Sequence, residues 1–334
     1  MKNEIENIQI LRGIAALMVV INHFWGGVLG GFFSVIGYFG VEIFFVISGF
    51  IMVYTQSNKK PAQFMLDRII RIYPIYWIIA LPLLLYAFGM KDIPGLLGNI
   101  MLLPSLGNPH YGMIFYPAWT LVYEVLFYCA FFFSLLISTN KYKACMTTVF
   151  LIITSVIIFG EFMEFPRQHK ANLGYMLGDT LMLDFAAGCL LALVYKLIKF
   201  RIRFTFFIIL RSAITIIAHK YRMPTNYAHF AFAFGVVLLA LISSQAPNLI
   251  RRPMMLIGDA SYSIYLSHLY VVFILERFLE SGNSVSINII ASTSLLALSV
   301  IFGLFIHHAI ERPVISIIKS RVTKHRHRIA GQEG

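Results

Sequence analysis

Long apolar segments separated by short polar stretches recur along nearly all of the 334-residue chain. Their lengths of roughly 15–22 residues approach the roughly 20 residues that a helix needs to cross a membrane. The pattern predicts an all-α, polytopic membrane helix bundle of about ten transmembrane helices. The predicted spans are 8–29, 36–55, 72–88, 118–137, 145–160, 178–196, 204–219, 227–243, 257–279 and 287–310.

Composition supports a membrane protein over a soluble one. The chain is 59% hydrophobic and 13% charged, whereas an average soluble protein has about 25% charged residues. A soluble protein of this size has too few buried faces for so many apolar segments. We therefore predict one membrane domain over residues 1–313, followed by a basic cytoplasmic tail over 314–334.

The basic residues indicate an orientation. With the N-terminus inside, most of the 27 Lys and Arg residues fall on the inner side of the predicted spans, where such residues accumulate. This predicts a multi-pass protein of the cytoplasmic (inner) membrane with both termini in the cytoplasm. The net charge of +12 then reflects topology, and the basic tail is expected to meet anionic lipids rather than nucleic acid.

Two ionisable residues share the first predicted span. Arg12 and His23 are eleven positions apart, so on a helix they lie on nearly the same face, roughly 16 Å apart along the axis. Ionisable groups inside a membrane are costly and commonly mark function. The pair predicts a polar stripe with a cation near one membrane edge and an imidazole deep inside.

Two carboxylates are predicted to lie at the depth of His23. Glu42 and Glu124 each lie about six residues from the outer edge of their spans, counted at the helical rise. An imidazole level with carboxylates suits general base catalysis. Interhelical hydrogen bonds are the alternative interpretation, and three such residues at one depth favour function.

Arg68 and Arg71 are three positions apart, so a helix projects them to one side. Paired guanidinium groups bind phosphate oxygens bidentately. Arginines that only anchor the end of a span are an equally good explanation of this spacing.

The remaining polar and sulfur-containing residues suggest structural roles. Cys129, Cys145 and Cys189 lie in or beside apolar segments and predict packing rather than a disulfide framework or a metal site. Asp179 and Asp184 are candidates for ion pairs with Arg211 in the seventh span. No metal and no bound cofactor are predicted.

The motifs together resemble acyltransferase family 3, a family of integral membrane acyltransferases. The resemblance covers about residues 8–313 and ends with Glu311-Arg-Pro. It rests on five motifs in order: Arg12 with His23, Gly40-Val-Glu-Ile-Phe-Phe-Val-Ile-Ser-Gly-Phe50, Arg68-Ile-Ile-Arg71, Trp119-Thr-Leu-Val-Tyr-Glu124, and Ala260-Ser-Tyr-Ser-Ile-Tyr-Leu-Ser-His268. Thr120 stands where many members have serine, which keeps the hydroxyl.

The resemblance implies a ten-helix enzyme of the stand-alone form, similar to exopolysaccharide and O-antigen O-acetyltransferases. Such an enzyme transfers an acyl group, usually acetyl, from cytoplasmic acyl-CoA to a hydroxyl of a glycan, either lipid-linked or free. Three roles are expected across the motif residues. The catalytic residues would be His23, Glu124 and Glu42, the acyl-CoA-binding residues Arg12, Arg68 and Arg71, and the supporting residues Trp119, Tyr123, Ser48 and His268.

Two other classes of protein remain open from the sequence. In a transporter or flippase, the stripe from Arg12 to His23 would line a path for an acyl or glycan substrate, or for protons. In a sensor or scaffold, the polar residues would serve packing alone.

Overall fold

A computed structural model describes residues 2–56, 60–89, 93–106, 112–161, 172–197, 225–244, 247–279 and 284–330. This part of the chain is helical, and its only β-type pairing is an isolated bridge between Ser105 and Asn172. The helices are α1 Lys2–Leu29, α2 Ile36–Thr55, α3 Pro61–Phe88, α4 Ile93–Met101, α5 Ala118–Ile137, α6 Lys141–Glu161, α7 Leu173–Gly178, α8 Leu181–Val194, α9 Thr225–Ile242, α10 Asn248–Asp259, α11 Ser261–Leu279, α12 Val285–Ile306 and α13 Arg312–Ala330.

The all-helical prediction is confirmed, and the chain has several apolar helices of membrane-spanning character. Six helical segments of the described part are long and apolar enough to cross a membrane. Helices α8 and α9 contain shorter apolar stretches. A helix lies on every predicted span except the seventh, 204–219, which falls outside the described residues together with Arg211.

Helical structure extends well beyond two of the predicted spans. The third span was predicted over 72–88, but α3 begins at Pro61, where a proline at the first helical position sacrifices no hydrogen bond. It therefore carries Arg68 and Arg71 within the helix. At the C-terminal end, helical structure runs from Val285 through the predicted tail to Ala330.

A π-helical turn over His307–Glu311 joins α12 to α13. The wider turn precedes Pro313, which has no N–H for a regular helical bond and whose ring crowds the preceding turn. His307 is half-buried and lies 2.9 Å from the Glu311 carboxylate. Ser263 of α11 donates a hydrogen bond to the same carboxylate at 2.5 Å.

The core forms where α2 packs against α1, α8 and α9. A Cβ atom on Gly188 would lie 2.0 Å from the carbonyl oxygen of Val46, and one on Gly49 would lie 2.1 Å from that of Phe185. Small residues allow such close approach between membrane helices. Helices α2 and α8 therefore touch backbone to backbone, and this contact fixes the positions of the polar residues on α2.

Candidate active site

Three polar cavities lie side by side around Val41 of α2, which lines each of them. We call them the arginine cavity, the histidine cavity and the acidic cavity. Their volumes are about 80, 70 and 410 Å³ respectively.

The arginine cavity brings together Arg12 of α1 with Arg68 and Arg71 of α3. Glu124 is the only carboxylate among its lining residues, so positive charge predominates there. Such a surface suits an anionic group, and guanidinium groups match phosphate oxygens especially well. Ser48, predicted as a supporting residue, also lines this cavity.

Neighbouring side chains hold two of these arginines in place. Arg12 donates a hydrogen bond to the Gln9 side-chain oxygen at 3.1 Å. Arg68 donates to the Thr55 hydroxyl at 3.2 Å, and its guanidinium carbon lies 5.6 Å from the centre of the Tyr128 ring. Cation–π contacts of this kind stabilise a buried guanidinium.

Glu124 lies in the arginine cavity, where the Tyr128 hydroxyl donates a hydrogen bond to it. Glu124 does not line the histidine cavity, and its predicted support of His23 stays a prediction. Thr120, Glu124 and Tyr128 are spaced four residues apart and share one face of α5. Position in the sequence predicts depth along the helix, whereas the direction in which the side chain points depends on how α5 is rotated.

The histidine cavity contains His23 of α1 and His268 of α11. Their ring centroids are 5.0 Å apart, and the ring of Tyr116 lies 6.5 Å from that of His23. The structure thus brings His23 together with a second imidazole rather than with a carboxylate. His268 was predicted only as a supporting residue, yet it is the polar group nearest to His23 among these ring contacts.

The contacts of His268 define its tautomer. Its Nδ1 lies 2.6 Å from the Tyr265 carbonyl oxygen, which can only accept, so Nδ1 carries the hydrogen. In the neutral ring, Nε2 is then an acceptor, and it has no hydrogen-bond partner among the described residues. His268 is 1% exposed. The Nε2 atom of His268 is therefore a buried hydrogen-bond acceptor in the wall of the histidine cavity.

Tyr265 separates the histidine cavity from the arginine cavity and lines both. Its hydroxyl donates to the Pro117 carbonyl oxygen at 3.0 Å and lies 2.8 Å from the Thr120 hydroxyl. Sequence reasoning missed this residue. Its spacing of three positions before His268 places both on one helical face and is a signal that would have identified it.

The acidic cavity contains Glu42, which lies 3.4 Å from Nδ1 of His229 on α9. Glu42 does not line the histidine cavity, and its predicted support of His23 stays a prediction. Tyr38 and Glu42 are four residues apart and face the acidic cavity, whereas Phe44 and Ser48 face the arginine cavity. The rotation of α2 assigns its polar residues to different cavities.

Two further carboxylates, Asp179 and Asp184, line the acidic cavity. Asp179 accepts hydrogen bonds from the Tyr123 hydroxyl at 2.7 Å and from the Leu181 backbone N–H at 3.1 Å. Tyr123, predicted to support catalysis, thus contacts this acidic group. The predicted ion pair with Arg211 lies outside the described residues. Trp119 lines both the acidic and the histidine cavities.

The apolar helices define a multi-pass membrane protein, and its interior contains three polar cavities that share lining residues. The chain belongs to acyltransferase family 3, since residues 5–308 match the family's sequence profile, described as an acyltransferase domain. This confirms the family predicted from the motifs, and it makes the chain an O-acyltransferase by family.

Several characterised proteins are similar to the chain over most of its length. Exopolysaccharide production protein ExoZ of Rhizobium meliloti (strain 1021) is 26% identical over 84% of this chain and 90% of that protein. Nodulation protein 10 of Rhizobium leguminosarum bv. viciae is 27% identical over 80% of this chain and 82% of that protein.

Peptidoglycan O-acetyltransferase OatA of Listeria monocytogenes is 24% identical over 83% of this chain but only 50% of that protein. No solved structure matches the chain.

Proposed function

We propose that the protein transfers an acetyl group from acetyl-CoA to a hydroxyl of a cell-surface or exported glycan, in the cytoplasmic membrane. The names of two relatives, exopolysaccharide production protein ExoZ and peptidoglycan O-acetyltransferase OatA, support a polysaccharide acceptor. The observation that carries the proposal is the shared wall between the arginine and histidine cavities, formed by Val41 and Tyr265.

In this proposal the arginine cavity faces the cytoplasm and holds the phosphates of acyl-CoA at Arg12, Arg68 and Arg71. The thioester then extends past Tyr265 towards His23, since Arg12 and His23 are about 16 Å apart along α1 at the usual helical rise. A long, narrow donor suits a chain of adjoining cavities. Glu124, hydrogen-bonded by Tyr128, would balance part of the positive charge in the absence of donor.

His23 would act as the general base. It takes the proton from the acceptor hydroxyl while that oxygen bonds to the thioester carbonyl carbon. The carbon–sulfur bond then breaks, and the CoA thiolate recovers the proton from the imidazolium. The products are the acetyl ester of the glycan and free CoA. If an acyl-enzyme forms first, His23 performs the same proton transfer in the second step.

Membranes containing the protein, incubated with acetyl-CoA labelled in the acetyl group, test this proposal directly. We expect label to appear in the glycan fraction as an alkali-labile ester. Vesicles that accumulate labelled acetyl-CoA or glycan without forming the ester would instead indicate a transporter. Membranes that do neither would overturn the proposal, provided that the protein is present at a measured level.

A further inference from the structure

The acidic cavity has no part in binding the donor, yet it adjoins the site proposed for the chemistry. Trp119, Tyr38 and Val41 line both the acidic and the histidine cavities. Its volume of about 410 Å³ falls within the roughly 300–1,000 Å³ typical of small-molecule sites. It is also the largest of the three cavities.

Two carboxylates in its wall are left with unused hydrogen-bonding capacity. Asp184 is 2% exposed and Glu42 is 6% exposed. The Oδ1 atom of Asp184 and the Oε2 atom of Glu42 have no hydrogen-bond partner among the described residues. A buried acceptor without a partner is costly, so a ligand that donates hydrogen bonds would be favoured here.

The chemistry of the wall indicates what kind of ligand this is. The described wall of the acidic cavity contains carboxyl oxygens and no Lys or Arg, so it offers little to phosphates and acidic sugars and suits hydroxyl donors. In the described part, no group of three or more His, Cys, Asp or Glu residues is spaced to hold a metal ion. Trp119, Tyr175 and Phe230 add aromatic surface beside the carboxylates. Hydroxyl donors on an apolar ring face are the features of a neutral sugar.

We propose that the acidic cavity binds a neutral sugar ring of the acceptor through Asp184 and Glu42, with one hydroxyl directed past Trp119 towards His23. This inference rests on the proposed function, because the bound sugar is an acceptor only if the protein transfers acyl groups. It specifies the acceptor class as a neutral sugar. Asp179, already hydrogen-bonded by Tyr123 and Leu181, shapes the wall. Donor and acceptor thus approach His23 from two different cavities.

Sugar binding is measurable without any acyl donor. The purified full-length chain in detergent is titrated with the methyl glycosides of glucose, galactose and mannose, and with choline as a cationic probe. Trp119 is one of three tryptophans, so a sugar in the cavity should change the fluorescence, and Trp119→Phe should remove the change. A sugar-dependent rise in the thermal unfolding temperature provides a second signal. If no sugar gives a saturable response, or if only choline does, the proposal is wrong.

Isosteric variants test the two carboxylates. Asp184→Asn and Glu42→Gln should each weaken binding of the responding sugar by about tenfold, the loss expected for one hydrogen bond to a charged group. Glu276→Gln, at an exposed carboxylate of α11, is the matched control and should leave binding unchanged. Unchanged sugar affinity in both cavity variants would overturn the assignment.

The result of the sugar-binding test can be distinguished from the result of the acyl-transfer test of the proposed function. A protein that binds sugars as described but never forms a labelled ester would contradict acyl transfer and leave the sugar site standing. A protein that forms the ester while both cavity variants bind sugars normally would contradict the sugar site alone. Acetyl-CoA affinity should not change in Asp184→Asn, since the donor occupies the other cavity.

Discussion

The imidazole rings of His23 and His268 lie with their centroids 5.0 Å apart, although the two residues belong to the first and one of the last helices of the bundle. The hydrogen bond to the Tyr265 carbonyl oxygen leaves Nε2 of His268 as an acceptor. That acceptor is well placed to receive an N–H from His23 once His23 has taken up a proton. His268 would then act as a positioning residue for the proposed base, in the way that a carboxylate does in a catalytic triad.

This relationship predicts that His268→Ala lowers the turnover number by about tenfold, less than the roughly hundredfold loss expected when the general base itself is removed. The half-saturating concentration of acetyl-CoA should remain unchanged, because His268 lines no part of the arginine cavity. His268→Gln should recover part of the rate, since its side-chain oxygen is again an acceptor. Steady-state kinetics with labelled acetyl-CoA measures both constants. If the glutamine variant were as slow as the alanine variant and equally destabilised, His268 would serve packing only.

His23→Ala should reduce acyl transfer by about a hundredfold or more, as loss of a general base does. Binding of acetyl-CoA should persist, because the arginine cavity remains intact. His308→Ala is a matched control, since His308 is exposed on the π-helical turn, where its ring nitrogen lies 2.9 Å from the Leu304 carbonyl oxygen. Ester formation is measured at equal protein levels in the membrane. A His23→Ala protein with the wild-type rate would show that the base lies elsewhere.

Replacement of both Arg68 and Arg71 by alanine should weaken acetyl-CoA binding by about a hundredfold, or about tenfold for each charge-assisted hydrogen bond. Arg12→Ala should likewise raise the half-saturating donor concentration more than it lowers turnover at saturating donor. Isothermal titration of the purified protein with acetyl-CoA measures the affinity.

Arg252→Ala provides the control for this loss of charge, because Arg252 is exposed on α10. Donor affinity that is unchanged in the double variant would exclude the arginine cavity as the phosphate site.

The sequence was sufficient to predict the helices on the described spans, because an apolar segment is recognisable without any tertiary information. The short α4 and the polar α13 lie outside the predicted spans and were missed. The N-terminal boundary of α3 was missed because its first turns, from Pro61 to Arg71, are polar at several positions. The helix nevertheless continues, since Pro61 begins it and no breaker follows before the apolar segment. A hydropathy pattern detects apolar segments and therefore does not detect the polar end of a helix.

Only part of the candidate site was predicted, because sequence patterns relate residues along one helix and do not relate residues on different helices. Spacing along a helix relates Arg68 to Arg71 locally, and the structure does bring both to Arg12. Glu42 and Glu124 were predicted at the membrane depth of His23, but depth does not determine how a helix is rotated about its axis. Rotation is set by packing between helices, such as the glycine contact of α2 with α8, and no local pattern relates His23 to His268.

The contact between α2 and α8 leads to a final prediction, about stability. Gly188→Ala should destabilise the protein by about 1–3 kcal/mol, the usual cost of overpacking, because the new Cβ would lie 2.0 Å from the Val46 carbonyl oxygen. Gly27→Ala is the matched control in α1, since a Cβ there meets nothing within 4 Å, and alanine favours a helix over glycine. Thermal unfolding of the two variants in the same detergent gives the comparison. Separation of the helices by a shift of α2 would displace Glu42 in the acidic cavity and Ser48 in the arginine cavity. In that case Gly188→Ala should also weaken binding of both sugar and acetyl-CoA. An unfolding temperature equal to that of Gly27→Ala would show that the two helices are free to move apart without cost.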